Sequence, residues 1–242
     1  MRRIIIDGDI VAFMAASVER EDLEAATARA DEIVRDVTEG LFGVIADVIV
    51  YVKGEGNFRM DYSDYKMNRS DKPDTRPETL EGVRKYLGDN YGDFAHGAEA
   101  DDYCVIEAQR CMDEGIPYVI CTIDKDLRQM EGMHHNLRTG KTDIVTPEEG
   151  YDFLLQQCLT GDAVDGIKGL KGIGPKKSQK LLQENPEEPE LAIMEKYIDT
   201  FGPIGGPQEL EKCWNLVYMR RQMDDLKVLP LPAIFYNGRR ES

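Results

Sequence analysis

Two aspartates stand immediately before a glycine- and lysine-rich segment of this chain, GDAVDGIKGLKGIGPKKSQKLL at 161–182. The carboxylates of Asp162 and Asp165 are suited to holding divalent cations, whereas glycine amides and lysine ammonium groups bind phosphates. Because both kinds of group lie in one short stretch, the segment indicates a protein that brings metal ions to a phosphate backbone.

The lysine-rich part of this segment has the pattern of a hairpin that binds a DNA backbone. Gly172 and Gly174 allow a tight turn, and Pro175 suits the first position of a helix whose free amides could bind a phosphate. The apolar spacing of 170–182 is that of a helix–hairpin–helix at about 162–182. An ordinary junction between a loop and a helix is the alternative. The lysines expected to contact DNA are Lys168, Lys171, Lys176, Lys177 and Lys180.

Further carboxylates stand where strands end or helices begin. They are Asp7, Glu99, Asp101, Asp102, Asp124 and Asp126. Ligands of open α/β sheets bind beyond the carboxyl ends of the strands, so these side chains could converge with Asp162 and Asp165. Such a set would repel itself unless divalent cations were bound. Oxygen ligands alone suit Mg²⁺ or Mn²⁺.

Each of these acids also has a purely structural interpretation. Acidic residues at a helix start complement the helix dipole, as in GAEADD at 97–102. Aspartates in turns bond the local backbone, which is an equally simple reading of Asp124 and Asp126. Only the whole set indicates a metal site.

The elements that would position these residues follow from the hydrophobic pattern. Apolar β-branched runs predict strands at Arg3–Ile6, Val44–Val52 and Pro117–Thr122, and helical spacing predicts helices at Ser17–Thr38, Thr79–Leu87 and Glu99–Glu114. Asn136–Thr146 alternates like a hairpin. Strands separated by helices predict an α/β core with a mainly parallel sheet over 1–150. Residues 151–242 are predicted to be helical, with connections at 184–190 and 201–208.

A second basic segment, NFRMDYSDYKMNR at 57–69, lies in a hydrophilic stretch that is predicted to be an exposed loop. Arginine and lysine suit phosphates, and an aromatic ring can stack on an unpaired base. A solvated charged loop explains the composition equally well. The residues of interest are Arg59, Tyr65, Lys66 and Arg69.

Composition describes a globular chain of 242 residues with a formal net charge of −16. That charge opposes nucleic-acid binding unless the basic groups are gathered locally. The longest apolar run is interrupted by Asp47, and Asp7 and Asp9 interrupt the N-terminal one. We therefore expect no membrane span, no signal peptide and a cytoplasmic location. Five cysteines without C-x-x-C spacing argue against zinc ribbons and a disulfide framework.

Taken together, these motifs resemble the 5′ nuclease family of flap endonucleases and 5′–3′ exonucleases. The chain looks most like stand-alone bacteriophage members and the 5′ nuclease domain of bacterial DNA polymerase I. The matches run in the family's order: IIIDGD, FR…YKMNR, GAEADD, TIDKDLRQ and GDAVDGIKGLKGIGPKK. The resemblance implies a PIN-like core, a short arch within about 59–97, and a helix–three-turn–helix in the C-terminal region.

The resemblance also implies roles. Asp7, Glu99, Asp101 and Asp102 would match a first metal site, and Asp124, Asp126, Asp162 and Asp165 a second. Lys66 and Arg69 would match catalytic residues that grip the scissile phosphate. Tyr65 would match an aromatic position that stacks on the terminal base, with Arg59 in the same cluster. The hairpin at Gly172 and Gly174 would match a duplex-binding motif that often holds a potassium ion through backbone carbonyls.

The implied activity is metal-dependent 5′–3′ exonuclease action with flap cleavage on DNA in replication or recombination. Duplexes with 5′ ends or flaps are the expected partners, RNA–DNA hybrids also fit, and the expected location is the cytoplasm of a bacterial or phage-infected cell. One departure weighs against catalysis, because the family's aspartate after the second strand is missing near Val52 and Lys53. Glu55 is the nearest carboxylate. A DNA-structure binding protein with an incomplete metal site is therefore the alternative.

Overall fold

The computed structural model describes residues 2–42, 46–62, 65–66 and 75–223. Contacts within the chain divide it into two units. Unit 1 contains the described residues 2–42, 46–58, 75–147 and 219–223, and unit 2 contains 59–62, 65–66 and 148–218. The predicted boundary at 150 lies close to the one at 147, but residues 59–66 belong to unit 2 and residues 219–223 return to unit 1.

Unit 1 alternates strands and helices around one sheet. Its elements are β1 (Arg2–Asp7), α1 (Gly8–Val18), α2 (Leu23–Phe42), β2 (Ala46–Lys53), α3 (Leu80–Tyr91), β3 (Gly92–Ala95), α4 (Ala100–Asp113), β4 (Tyr118–Thr122), β5 (Gly132–Asn136) and β6 (Thr142–Val145). The strand order is β3-β2-β1-β4-β5-β6. All neighbouring pairs are parallel except β5 with β6. The predicted α/β class with a mainly parallel sheet is confirmed.

The central strand shows why both faces of this sheet are covered. Ile4 and Ile6 join one hydrophobic cluster with side chains of α1, α2 and α3, whereas Ile5 joins another with side chains of α4. All three isoleucines are fully buried. Since side chains alternate along a strand, a continuous apolar run is what a strand between two helical layers requires.

Three details of unit 1 differ from the predicted elements. The predicted helix at Ser17–Thr38 corresponds to α2, and α1, which begins directly after β1, had no counterpart in the prediction. The short strand β3 had no counterpart in the prediction. The hairpin is present, but its first strand begins at Gly132. Most of the second half of the predicted arch region is α3 and β3, and residues 63–64 and 67–74 of that region lie outside the described residues.

Unit 2 is helical apart from one minimal two-strand ladder. Its elements are α5 (Pro147–Thr160, continuing from unit 1), β7 (Gly161–Asp162), β8 (Ile167–Lys168), α6 (Pro175–Glu184) and α7 (Pro189–Val217). The predicted connection at 184–190 is present, whereas that at 201–208 is only a kink in α7 at Gly202. The helix before the lysine-rich turn is α5, which ends before the range 162–182. Within the described ranges, no helix has the length and apolarity needed to cross a bilayer.

Candidate metal centre and nucleic-acid interface

Asp7 lies where the strand order reverses, at the carboxyl end of β1 beside β4. Its Oδ1 accepts a hydrogen bond from the Ile10 amide at 3.3 Å, and its Oδ2 accepts one from Thr122 Oγ1 at 2.8 Å. Gly8 makes this placement possible, because a Cβ there would lie 2.6 Å from a methyl group of Val50. Crevices at such reversal points are the usual ligand sites of open α/β sheets.

Five further acids of unit 1 are close enough to interact electrostatically with Asp7 or with one another. Burial, followed by the charge of Asp9 and more weakly that of Asp124, raises the pKa of Asp7 to about 7. Burial also raises the pKa of Asp101 well above its usual range, and the charges of Glu99, Asp7, Asp124 and Asp102 add to the shift. Asp7 and Asp101 therefore resist ionising together, which is the arrangement that a bound divalent cation relieves.

Several of the predicted ligands are also tied to backbone amides. Asp102 is fully buried, and its two oxygens accept from the amides of Glu99 at 3.2 Å and Arg220 at 3.0 Å. The amide of Asp124 donates to Thr122 Oγ1, and Asp124 Oδ1 accepts from the amide of Asp126, both at 2.9 Å. These bonds bear out the structural interpretation of the helix start and the turn, alongside any metal role.

In the part of the chain that the structure describes, no group of three or more Asp, Glu, His or Cys side chains is placed to hold a metal ion. The donor set still fits Mg²⁺ or Mn²⁺ by residue type, since it is made of carboxylates, two of which, Asp7 and Asp101, have raised pKa values.

In unit 2 the two aspartates ahead of the glycine-rich turn lie in one compact loop. Asp162 is buried, and its Oδ1 accepts from the amide of Val164 at 2.7 Å and more weakly from that of Asp165 at 3.4 Å. Lys66 approaches the same loop twice. Its amide donates to the Asp165 carbonyl at 2.7 Å, and its Nζ lies 3.6 Å from Asp165 Oδ2.

Lys66 also has a φ of +54°, an uncommon backbone conformation for a residue other than glycine. Such conformations persist where surrounding bonds impose them, and they concentrate at functional sites. The basic residue expected to act on the phosphate is therefore brought to one of the expected metal ligands. Arg69, its predicted catalytic companion, lies outside the described residues.

Two residues predicted to contact DNA are buried instead. Arg59 is 1% exposed, and its guanidinium donates to the carbonyls of Leu216 at 3.0 Å and Tyr218 at 2.9 Å. Tyr65 is 4% exposed in the apolar cluster of unit 2, and its hydroxyl donates to Asp165 Oδ2 at 3.3 Å. Neither the guanidinium nor the ring faces solvent in this structure, and the assignment of both residues to DNA binding stays a prediction. The hydrophilic sequence around Arg59 and Tyr65 gave no indication of these tertiary contacts.

The lysine-rich turn has the accessibility that a backbone-binding motif needs. Gly172 has a φ of +81°, and Gly174 caps α6 with Pro175 at its first position. Lys177 Nζ donates to the Gly172 carbonyl at 2.8 Å, so a side-chain cation already meets one carbonyl of the turn where a potassium ion was expected. The exposed lysines are Lys168, Lys171, Lys176, Lys177 and Lys180.

The structure also identifies an acid that the sequence reading did not assign to the site, Asp9. Its Oδ1 accepts from the Lys53 amide at 3.1 Å and from Arg84 Nε at 2.9 Å, which puts this carboxylate at the end of β2. Val52 is fully buried there, and Glu55 is exposed with its amide bonded to His96 Nδ1. The second acid of IIIDGD was the available signal.

Comparison with known proteins finds relatives among bacterial DNA polymerases I and a 5′-3′ exonuclease. No protein-family model matches the sequence. The chain is 30% identical over 197 residues to the thermostable DNA polymerase I of Thermus aquaticus, and the match covers 74% of this chain and 23% of the polymerase. It is 29% identical over 189 residues to a 5′-3′ exonuclease of Aquifex aeolicus, and that match covers 69% of this chain and 64% of the exonuclease. A further relative, the DNA polymerase I of Deinococcus radiodurans, is 33% identical over 150 residues, which are 57% of this chain and 16% of that protein. The chain therefore spans less than a quarter of the length of these polymerases.

Solved structures share the fold at lower identity. The T5 D15 protein, co-crystallised with metal ions, matches with a TM-score of 0.70 and 18% identity over 90% of this chain and 89% of that one. The catalytic core of Rad2 in complex with a DNA substrate matches with a TM-score of 0.55 and 14% identity over 99% and 85%. These likenesses show a common fold.

Proposed function

Because the chain belongs to the 5′ nuclease family of flap endonucleases and 5′–3′ exonucleases, we propose that it is a divalent-metal-dependent nuclease acting on DNA. Its activity would be 5′–3′ exonucleolytic, with cleavage of 5′ flaps as a second action. The observation that carries the proposal is the group of acids at the strand reversal, where burial and the charges of neighbouring carboxylates raise the pKa values of Asp7 and Asp101.

The metal ligands would come from the acids assigned above. In unit 1 the candidate ligands are Asp7, Glu99, Asp101 and Asp124, and in unit 2 they are Asp162 and Asp165. When bound, two divalent ions would activate the attacking water and stabilise the leaving oxygen. Mg²⁺ or Mn²⁺ suits this all-oxygen set.

Three groups of this chain would prepare the phosphodiester for attack. Lys66, held beside Asp165, would place positive charge against the scissile phosphate. The exposed lysines around Gly172 would bind the phosphates of the duplex, and the positive end of the α6 dipole would add to that contact. These contacts read the backbone, so substrate choice would depend on DNA structure rather than base sequence.

Relatives support the substrate class. The flap endonuclease of bacteriophage T5 has been crystallised with DNA and metal ions, and Rad2 with a DNA substrate. We propose duplex DNA with 5′ ends or flaps as the substrate of this chain, and RNA–DNA hybrids as a second one. A role in replication or recombination in the cytoplasm of a bacterial or phage-infected cell completes the proposal.

The alternative is a protein that binds DNA structures without cutting them. It is favoured by Val52, a fully buried valine where the resembled family has an aspartate. Asp9 at the end of β2 counts against the alternative, because its carboxylate places negative charge close to the position of the missing aspartate.

One experiment separates the two functions. The protein is incubated with 5′-labelled flap DNA and blunt duplex in Mg²⁺, in Mn²⁺ or in EDTA, and binding is measured in parallel. Cutting in either metal and none in EDTA supports the nuclease, and product lengths distinguish flap incision from stepwise degradation. Binding without cutting in both metals would establish the alternative.

A further inference from the structure

The adjacent arginines Arg220 and Arg221 belong to a short segment that has no recognised motif. We name this segment the strap and define it as Met219, Arg220 and Arg221. It follows α7 in sequence but belongs to unit 1, and Met219 and Arg220 are buried there. Its bonds reach two of the loops of unit 1 that carry acids of the proposed metal site.

The first loop is the start of α4. The amide of Arg220 donates to Asp102 Oδ1 at 3.0 Å, while the amide of Glu99 donates to Asp102 Oδ2 at 3.2 Å. Asp102 is fully buried, so its carboxylate is a fixed link between the strap and the helix start. Glu99 and Asp101, which flank this link, are among the acids of the crevice.

The second loop is the 3₁₀ turn Asp126–Gln129, which follows Asp124. The amide of Met219 donates to Gln129 Oε1 at 3.0 Å, and Arg221 Nη2 donates to the Gln129 carbonyl at 2.9 Å. Gln129 is buried, and the strap therefore holds both its side chain and its backbone. Arg221 also reaches Gln109 of α4, at 3.4 Å.

A third contact involves the start of the basic segment. The Arg220 guanidinium lies over the Phe58 ring, 4.3 Å from its centroid. The amide of Phe58 donates to the Gly97 carbonyl at 3.1 Å, just ahead of Glu99. The strap thus contacts, directly or through Phe58, the two loops that carry Glu99, Asp101 and Asp124. Asp7, at the β1–α1 junction, is outside these contacts.

We propose that the strap is a positioning element that ties the α4 start to the 126–129 turn and thereby supports metal binding by the acids next to them. The inference rests on the proposed function, because it concerns the same acids. Like charges on the two loops push them apart, and hydrogen bonds from a third segment oppose that separation. Residues that orient metal ligands typically change metal affinity by about 10–100-fold when they are replaced.

The test uses Arg221→Met in the full chain. Arg221 is only partly buried, and methionine preserves most of its apolar stem, so we expect the variant to fold. Mn²⁺ binding to the DNA-free protein is measured by calorimetry, and the Mg²⁺ dependence of flap cleavage by gel assay. We expect Mn²⁺ affinity to fall by about tenfold or more, with duplex binding in EDTA unchanged. Arg221→Lys should recover part of the loss, since an ammonium group can still donate to the Gln129 carbonyl.

Arg128→Met is the matched control. It removes one positive charge from the same turn but breaks only an exposed ion pair with Asp143, at 2.9 Å. We expect its Mn²⁺ affinity to equal that of the wild type. Urea unfolding of each sample separates loss of metal binding from loss of fold. If Arg221→Met does not fold, Gln129→Met, which removes the acceptor of the Met219 amide, gives the same comparison.

The outcomes are distinct. A loss confined to Arg221→Met or Gln129→Met, relative to Arg128→Met, supports the strap as a positioning element. Equal Mn²⁺ affinity in the folded strap variants and the control would overturn it while leaving the nuclease intact. Wild-type protein that neither binds Mn²⁺ nor cuts DNA would overturn the proposed function, and the strap's role with it.

Discussion

Replacing the buried Arg59 by methionine is expected to destabilise unit 2 rather than remove a DNA contact. The guanidinium donates to two carbonyls near the end of α7, those of Leu216 and Tyr218. A hydrogen bond from a charged donor contributes about 1.5–3 kcal/mol. Two such bonds amount to about 3–6 kcal/mol. Because methionine refills much of the space, we expect the lower end, about 3 kcal/mol, which is roughly a 100-fold change in the folding equilibrium.

The assay is urea unfolding followed by the fluorescence of Trp214, the one tryptophan of the chain. Trp214 is buried in the apolar cluster of unit 2, so its emission reports the unit that Arg59 holds. With a urea slope of about 1–3 kcal/mol per molar for a small domain, the transition midpoint should fall by about 1–3 M. Arg59→Lys should lose less, since an ammonium group can reach one of the two carbonyls.

Lys168→Met is the control, because Lys168 is an exposed lysine of the same unit. Its midpoint should stay near that of the wild type, since changes at exposed positions usually stay within about 0.5 kcal/mol, while its duplex binding weakens. The reasoning would be refuted if Arg59→Met unfolded at the wild-type urea concentration and instead lost DNA affinity as Lys168→Met does. That result would mean that the guanidinium faces DNA.

Three further predictions concern Tyr65, the lysines at the start of α6, and His134. Tyr65→Ala should lower the free energy of unfolding by about 3 kcal/mol and Tyr65→Phe by about 1 kcal/mol in the urea assay, whereas stable variants with weaker binding of 5′ ends would restore a stacking role. Replacing Lys176 and Lys177 with alanine should reduce the salt dependence of duplex binding by about one to two phosphate contacts; an unaltered slope in a salt titration would remove α6 from the interface. Burial lowers the pKa of His134, so its stabilising contribution should be complete above about pH 6.5 and decline as the pH falls below that value. His134→Gln should remove this part of the pH dependence of the free energy of unfolding. An equal pH dependence in the variant and the wild type would contradict the role of His134.

The core of the fold could be predicted because its strands are apolar enough to be recognised locally. Ile4 to Ile6 and Val119 to Cys121 are buried on both faces, and such runs fit only a covered sheet. β3 could not be found in this way. Its four residues, GDFA, have no strand pattern of their own, and they become a strand by pairing with β2 at Val50–Lys53.

Candidate site residues could be selected from the sequence by residue type, but their exposure could not be predicted. Asp7 and Asp101 share a crevice because parallel strands end at one edge, and that follows from chain order. The burial of Arg59 could not be predicted, since its partners lie more than 150 residues away and are backbone carbonyls without a sequence signal. Asp9 was overlooked for a related reason: its position at the end of β2 depends on α1 starting directly after Asp7.

The central claim is that the protein cleaves DNA with divalent metal ions bound by the acids of unit 1. It is tested most directly by comparing the wild type with Asp124→Asn/Asp126→Asn on one 5′-labelled flap, with binding measured on the same samples. Asparagine keeps an oxygen that can accept from the amide of residue 126, so the turn should fold normally. We expect Mg²⁺-dependent products from the wild type and none from the variant, although both bind the flap. Wild-type rates of cleavage by the variant, or binding without cleavage by the wild type, would contradict the claim.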